Sequence, residues 1–278
     1  MEGITNTTEK QERIKRFQEK HTPPALRSQK KVNMLIAAGL EHMYQKEATI
    51  EGLENLPEDG PFIVIGNHFN VKETEILLAT LKNFDTHVVA AEKVHGEHPV
   101  RKIGLGAIRG ITAPESLANL SEEEKQSLMG RVSDTFVKEK YQEIIDAEEA
   151  GEVDKTGLMQ FVRSSAALLS RGDVLVMYPE GLWLYDGENE SPRSQTLYKG
   201  YSGFDVVAKQ YKKLTGENIP IIPIATFIDD DGNKQVKIDQ RVDFSSMEED
   251  VSSTDFCMSK IADMLPEEQR GYYASTNT

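Results

Sequence analysis

The stretch FIVIGNHFNVKETEILL, Phe62 to Leu78, decides the fold. Its first four residues, Phe62–Ile65, are aromatic or aliphatic and follow the turn signal Gly60-Pro61. A short apolar run bounded by turn residues reads as a buried strand. A helix is expected over Lys72–Leu81, with Asn70 as its N-cap and Glu73 three residues on. Two readings share these residues. In one, Asn70 and Glu73 form a capping pair that satisfies the first amides of the helix. In the other, His68 stands at the C-terminal end of a strand, where open α/β sheets place their crevices. Glu73, in the first helical turn, would then take the Nδ1 proton and leave Nε2 free as a base. A base with no protein nucleophile activates a substrate hydroxyl or amine.

Outward from that stretch, strands and helices alternate. The stretch ATIEGLENLPEDGP, Ala48 to Pro61, reads as a short strand followed by two turns, and strands are expected at His87–Ala91, Val174–Tyr178, Ile219–Ile228 and, after the turn DDDGN, Gln235–Ile238. A polar turn is expected at His95–Pro99 and a helix at Gly203–Leu214. This pattern predicts a single α/β domain with a mixed central sheet flanked by helices, over residues 48–278. Residues 1–47 form a separate helical segment, with helices at Thr8–Lys20 and Ser28–Gln45 broken by Pro23-Pro24. An acidic helical insertion covers about residues 115–155. It begins with a capping box at Ser121–Glu124 and reads as one long helix ending near Gly151, followed by another at Lys155–Ser170. The tail from about 267 to 278 reads as mobile.

Composition narrows the function classes. The 278 residues carry a net charge of -14, which argues against nucleic acid as a partner. Residues 1–46 hold nine Lys and Arg against five Glu, a net +4, so a basic segment suited to an anionic membrane surface sits on an acidic body. No apolar run reaches the roughly 20 residues that span a bilayer, and no secretory signal opens the chain. The single cysteine, Cys257, excludes an internal disulfide and a cysteine-based zinc site. A cytoplasmic setting, peripheral on the inner face of the membrane, follows as the expectation. His95 and His98 in HGEH have no third ligand pattern and read as a polar loop. GYSGF at Gly200–Phe204 lacks the spacing of a nucleophile elbow, so serine hydrolysis has little support.

A second cluster, VLVMYPEGLW from Val174 to Trp183, pairs with the first. A buried-type strand again ends in a turn, here Tyr178-Pro179-Glu180-Gly181. Asn67-His68 with Glu73, Gly106-Ala107-Ile108-Arg109, Tyr178-Pro179-Glu180-Gly181 and the proline strand Ile219–Ile224 stand in that order. The order resembles the four blocks of the glycerolipid acyltransferase family, the lysophosphatidic acid and glycerol-3-phosphate acyltransferases. Coverage is roughly residues 48–245.

The resemblance implies transfer of an acyl group from acyl-CoA or acyl carrier protein to a hydroxyl of a glycerol-phosphate or lysophospholipid-type acceptor, with no metal and no cofactor. His68 would be the base and Glu73 its orienter. Asn67, Arg109, Glu180, Gly181 and Lys199 would bind substrate, Arg109 taking the acceptor's anionic group with help from Lys199. Backbone amides near the helix start at Asn70 would steady the thioester oxyanion. Two positions depart from the family: Glu73 stands for Asp, and Trp183 for an Arg that meets the acceptor's head. Arg109, Lys199 or Arg193 is then left to supply that charge. A thioesterase using the same pair, and a lipid-binding relative without activity, are the alternatives.

Overall fold

The computed structural model describes residues 2–27, 48–68, 73–118, 120–132, 134–152, 154–181, 197–247 and 251–274. Seven strands form one sheet: β1 (Ala48–Glu51), β2 (Phe62–Gly66), β3 (Thr86–Ala91), β4 (Ile111–Ala113), β5 (Val174–Met177), β6 (Ile221–Ile228) and β7 (Lys234–Ile238). Their order is β1-β7-β6-β2-β5-β3-β4. Strand β2 pairs in parallel with β5 and β6, and β3 pairs in parallel with β5 and β4. Only β6–β7 is antiparallel, through the expected hairpin, and β1 joins β7 in parallel. The fold is the mixed α/β sheet that the sequence predicts.

The central strands are apolar along their whole length because both faces are covered. Ile63 and Ile65 of β2 and Leu175 and Met177 of β5 face one core, and Phe62, Val64, Val174 and Val176 face the other. The first core is closed by α6 (Lys155–Leu169), α7 (Gly203–Thr215) and α8 (Ser253–Met264), and the second by α2 (Glu73–Thr80). At the N-terminus, α1 (Glu2–His21) lies on α6 and α7. Gln18 donates to the Ser170 carbonyl at 2.9 Å, and Arg13 to the Leu214 carbonyl at 2.9 Å. The helix expected over Ser28–Gln45 lies outside the described residues. Among the described residues, no helix is long and apolar enough to cross a membrane.

Four elements differ from expectation, and one is the edge strand β4, for which the sequence reading has no counterpart. The acidic insertion is two helices, α4 (Glu122–Arg131) and α5 (Thr135–Glu149). The break falls before Asp134, whose carboxylate accepts the Val137 amide at 3.1 Å and so starts a new helix. These helices, through Leu128 of α4 and Tyr141 of α5, make a third core with Val94 and Leu117. A short helix, α3 (Pro99–Ala107), stands where no helix was expected, because its Val100 and Ile103 face solvent rather than a core. The tail is docked as far as Ala274. Tyr273 is 1% exposed, and its hydroxyl donates to Asp255 at 3.0 Å and accepts the Gly200 amide at 3.1 Å.

Cys257 is fully buried in the first core, and burial pushes its thiol up to about 12. A thiol held protonated and shielded does not react. A thiol-reactive dye is therefore expected to leave the native protein unlabelled and to label one site per chain only after unfolding; fast labelling without denaturant would contradict the packing of α8.

Candidate functional site

The C-terminal ends of the parallel strands β2, β5, β3 and β4 lie along one end of the sheet, and His68 follows β2 there. The residue before it anchors the strand end. Asn67 is buried, its amide nitrogen donating to the Thr226 carbonyl at 2.8 Å while its oxygen accepts the Thr226 amide at 2.8 Å. The side chain thus copies two backbone bonds and extends the β2–β6 ladder by one step. With both amide atoms engaged on β6, Asn67 fixes the strand end from which His68 emerges, rather than reaching a substrate as the resemblance implied.

His68 is held by a carboxylate from the next strand. Its backbone N–H donates to Glu180 Oε1 at 2.7 Å, and the Tyr198 N–H donates to Oε2 of the same group at 2.9 Å. Glu180 is 3% exposed, so it ties three chain segments together instead of lining an open pocket. The ring of His68 stacks on Tyr178, with centroids 4.7 Å apart and planes 21° from parallel. The Tyr178 hydroxyl shares a hydrogen bond of 3.0 Å with Thr74 Oγ1, on the first turn of α2. Gly181 follows with φ of 64°, a left-handed turn that glycine adopts without strain. Residues 69–72 and the Glu73 side chain lie outside the described residues, so the His68–Glu73 pair and the Asn70 amides do too.

Behind His68 opens a cavity of about 280 Å³. Leu158 and Phe161 of α6, Phe204 and Val206 of α7, and Val89 and Met177 of the sheet make it mostly apolar. His68, Tyr178 and Gly181 line it at one side, and His95, Glu115 and Ser116 also line it. His95 belongs to a π-helical turn, Glu92–Gly96, a backbone form that recurs at functional sites. Glu115 is mostly enclosed, and burial raises its carboxyl above the ordinary range despite two backbone N–H bonds. A larger open groove of about 470 Å³, lined by β1, α2 and Phe84, lies on the other face of the sheet and does not include His68.

Two expected residues are elsewhere. Arg109 ends α3 in a left-handed conformation, φ 54°, and is 6% exposed. Its guanidinium meets Asp85 Oδ1 at 2.6 Å and donates to the Leu26 carbonyl at 3.2 Å. Asp85 precedes β3, so Arg109 is placed at the opposite end of the strands from His68. There it joins His87, Asp173 and Arg171, with His87 between the Arg109 carbonyl at 2.9 Å and Asp173 at 3.1 Å, and Arg171 bonded to Asp173 at 3.0 Å. Asp85, His87 and Asp173 are close enough to share a metal, but two guanidinium groups already balance the two carboxylates. Lys199 stands 5.5 Å above the Tyr272 ring and borders a separate polar groove with Asp205 and Asp255. Trp183 and Arg193 lie outside the described residues.

Tyr198 and Glu115 carry no local signal. Tyr178 stands in the Tyr178-Pro179-Glu180-Gly181 block and His95 in a polar loop, but neither position tells that the Tyr178 ring stacks on His68 or that His95 lines the cavity.

No family model matches the chain, and no curated protein matches it. Among solved structures, it is similar to the 1-acyl-sn-glycerophosphate (LPA) acyltransferase PlsC from Thermotoga maritima. The identity is 15%, the match covers 86% of this chain and 82% of that one, and the TM-score is 0.49.

Replacing Asn67 with Ala would leave both polar groups of Thr226 unpaired inside the protein. Such buried orphans cost roughly 1–3 kcal/mol each. Asn67→Ala is expected to lower unfolding free energy by about 2–4 kcal/mol in urea titrations; a change below about 0.5 kcal/mol, the size of an ordinary surface substitution, would contradict the clamp.

Proposed function

We propose that the protein transfers an acyl group from a thioester to a hydroxyl of a lipid-type acceptor. The observation that carries this reading is His68 itself: an imidazole on a strand end, braced through its backbone by Glu180 and through its ring by Tyr178, lining an apolar cavity. An apolar cavity accepts an acyl chain through burial of its methylenes. A base beside it serves a reaction at the end of that chain.

In this reading the acceptor oxygen attacks the thioester carbonyl as His68 Nε2 takes its proton. The tetrahedral intermediate collapses, the C–S bond breaks, and the departing sulfur takes the proton from the imidazolium. Glu73 holds Nδ1–H and steadies the imidazolium. Amides at the start of α2 face the developing oxyanion, where a helix N-terminus favours negative charge. Glu180 and Tyr178 fix the imidazole without touching the reacting atoms. The donor is an acyl-CoA or acyl carrier protein. The basic N-terminal segment brings the protein to an anionic lipid surface, where such acceptors reside.

The test is thiol release from palmitoyl-CoA, with and without a lipid hydroxyl acceptor. Wild-type protein is expected to release thiol faster when acceptor is added and to form the acylated product. Release that ignores the acceptor would instead identify a hydrolase. His68→Ala is expected to lower the rate by about 100-fold or more with its circular dichroism unchanged. An undiminished rate would overturn the assignment of the base.

A further inference from the structure

His95, Glu115 and Ser116 make one polar corner of the cavity, whose lining also includes Tyr201 and Ser202. His95 comes from the turn after β3, and Glu115 and Ser116 from the chain just after β4. In the sheet order β2-β5-β3-β4, the end of β3 lies two strand spacings, roughly 10 Å, from the end of β2, and the end of β4 three spacings, roughly 14 Å. Those distances suit the remainder of a substrate whose reacting oxygen sits at His68.

The corner is built from buried contacts. The two oxygens of Glu115 accept the backbone N–H groups of Lys93 and Val94, each at 3.0 Å, and so fix the turn that carries His95. Val94 is 0% exposed and plugs into the third core. Lys140 of α5 pairs with Glu97 at 2.8 Å, and Glu143 with Lys93 at 3.4 Å, on the outer side of the same turn. Glu148 accepts both the Ser116 hydroxyl at 2.6 Å and the Leu117 amide at 2.9 Å. Helix α5 thereby supports this corner.

Among the described residues, Glu115 lines the corner, Glu148 lies behind Ser116, and no Lys or Arg lines the cavity. The guanidinium of Arg109 is engaged with Asp85 at the far end of the strands. A phosphate in this corner would meet a carboxylate, whereas a hydroxyl or ammonium group would find hydrogen-bond acceptors.

We propose that the corner receives the head of the acceptor, and that this head donates hydrogen bonds through hydroxyl or ammonium groups and carries no phosphate. The proposal rests on the acyl-transfer reading for its acceptor. It is tested by binding, which needs no turnover. Hexadecyl glyceryl ether and the same ether carrying a phosphate are titrated calorimetrically into the full chain.

The neutral ether is expected to bind about tenfold or more tighter than its phosphate, a difference of about 1.4 kcal/mol. Glu115→Gln is expected to narrow that ratio, and His95→Phe to weaken the neutral ether by about tenfold. Thermal melting checks that both variants fold, and the wild-type ratio decides the matter if either does not. Equal or tighter binding of the phosphate ether, no binding of either, or a ratio unmoved in both folded variants would overturn the proposal. If His68→Ala retained transfer while the binding ratio held, the base assignment would fail and the corner would stand.

Discussion

One buried carboxylate holds the site together. Glu180 sits almost without solvent at the end of β5, where an ionised group is costly unless its oxygens are bonded. One oxygen takes the His68 amide and the other the Tyr198 amide. Bonds from backbone N–H to a carboxylate are among the stronger ones available to a folded chain. Through them the end of β2, the end of β5 and the segment returning at Leu197–Gly200 are joined at one point. Tyr178, two residues before Glu180, lays its ring against His68. The imidazole is thus placed from its own backbone and from its face at once.

The rest of the sheet follows from that junction. Parallel strands covered on both faces must be apolar throughout, so polar groups collect where strands end. At the C-terminal ends of β2, β5, β3 and β4 these groups are His68, Tyr178, His95 and Glu115, around one apolar cavity. At the N-terminal ends they are Asp85, Asp173, Arg109 and Arg171, which neutralise one another. The first set leaves an imidazole beside space for a substrate. The second binds Leu26 through Arg109 and Arg171 and so fastens the chain that leaves α1.

The sheet was legible in the sequence because its strands are short apolar runs ending in turn residues, as at Phe62–Ile65 and Val174–Met177. The hairpin DDDGN was legible for the same reason: Asp229 bonds the amides of Asp231 and Asn233 within its own turn. What was not legible depends on partners distant in sequence. Arg109 reads as a cation available for an acceptor, and only the fold reveals Asp85, 24 residues earlier, against its guanidinium. Glu180 reads as a pocket residue, yet it turns inward to bonds with residues 112 and 18 positions away. His95 looked like loop polarity because nothing local marks the turn that Glu115 holds. The helix break at Asp134 was readable in principle, since Asp is a strong N-cap, but the acidic stretch around it masked the signal.

In the proposed reaction the apolar cavity beside His68 holds an acyl chain with its carbonyl at the imidazole. A crystal structure with a non-hydrolysable thioether analogue of palmitoyl-CoA tests it directly. The chain is expected between Leu158 and Phe161 of α6 and Phe204 of α7, with the carbonyl position at hydrogen-bonding reach of an acceptor oxygen on His68. A chain lying instead in the groove between β1 and α2, with the cavity empty and His68 untouched, would contradict the account.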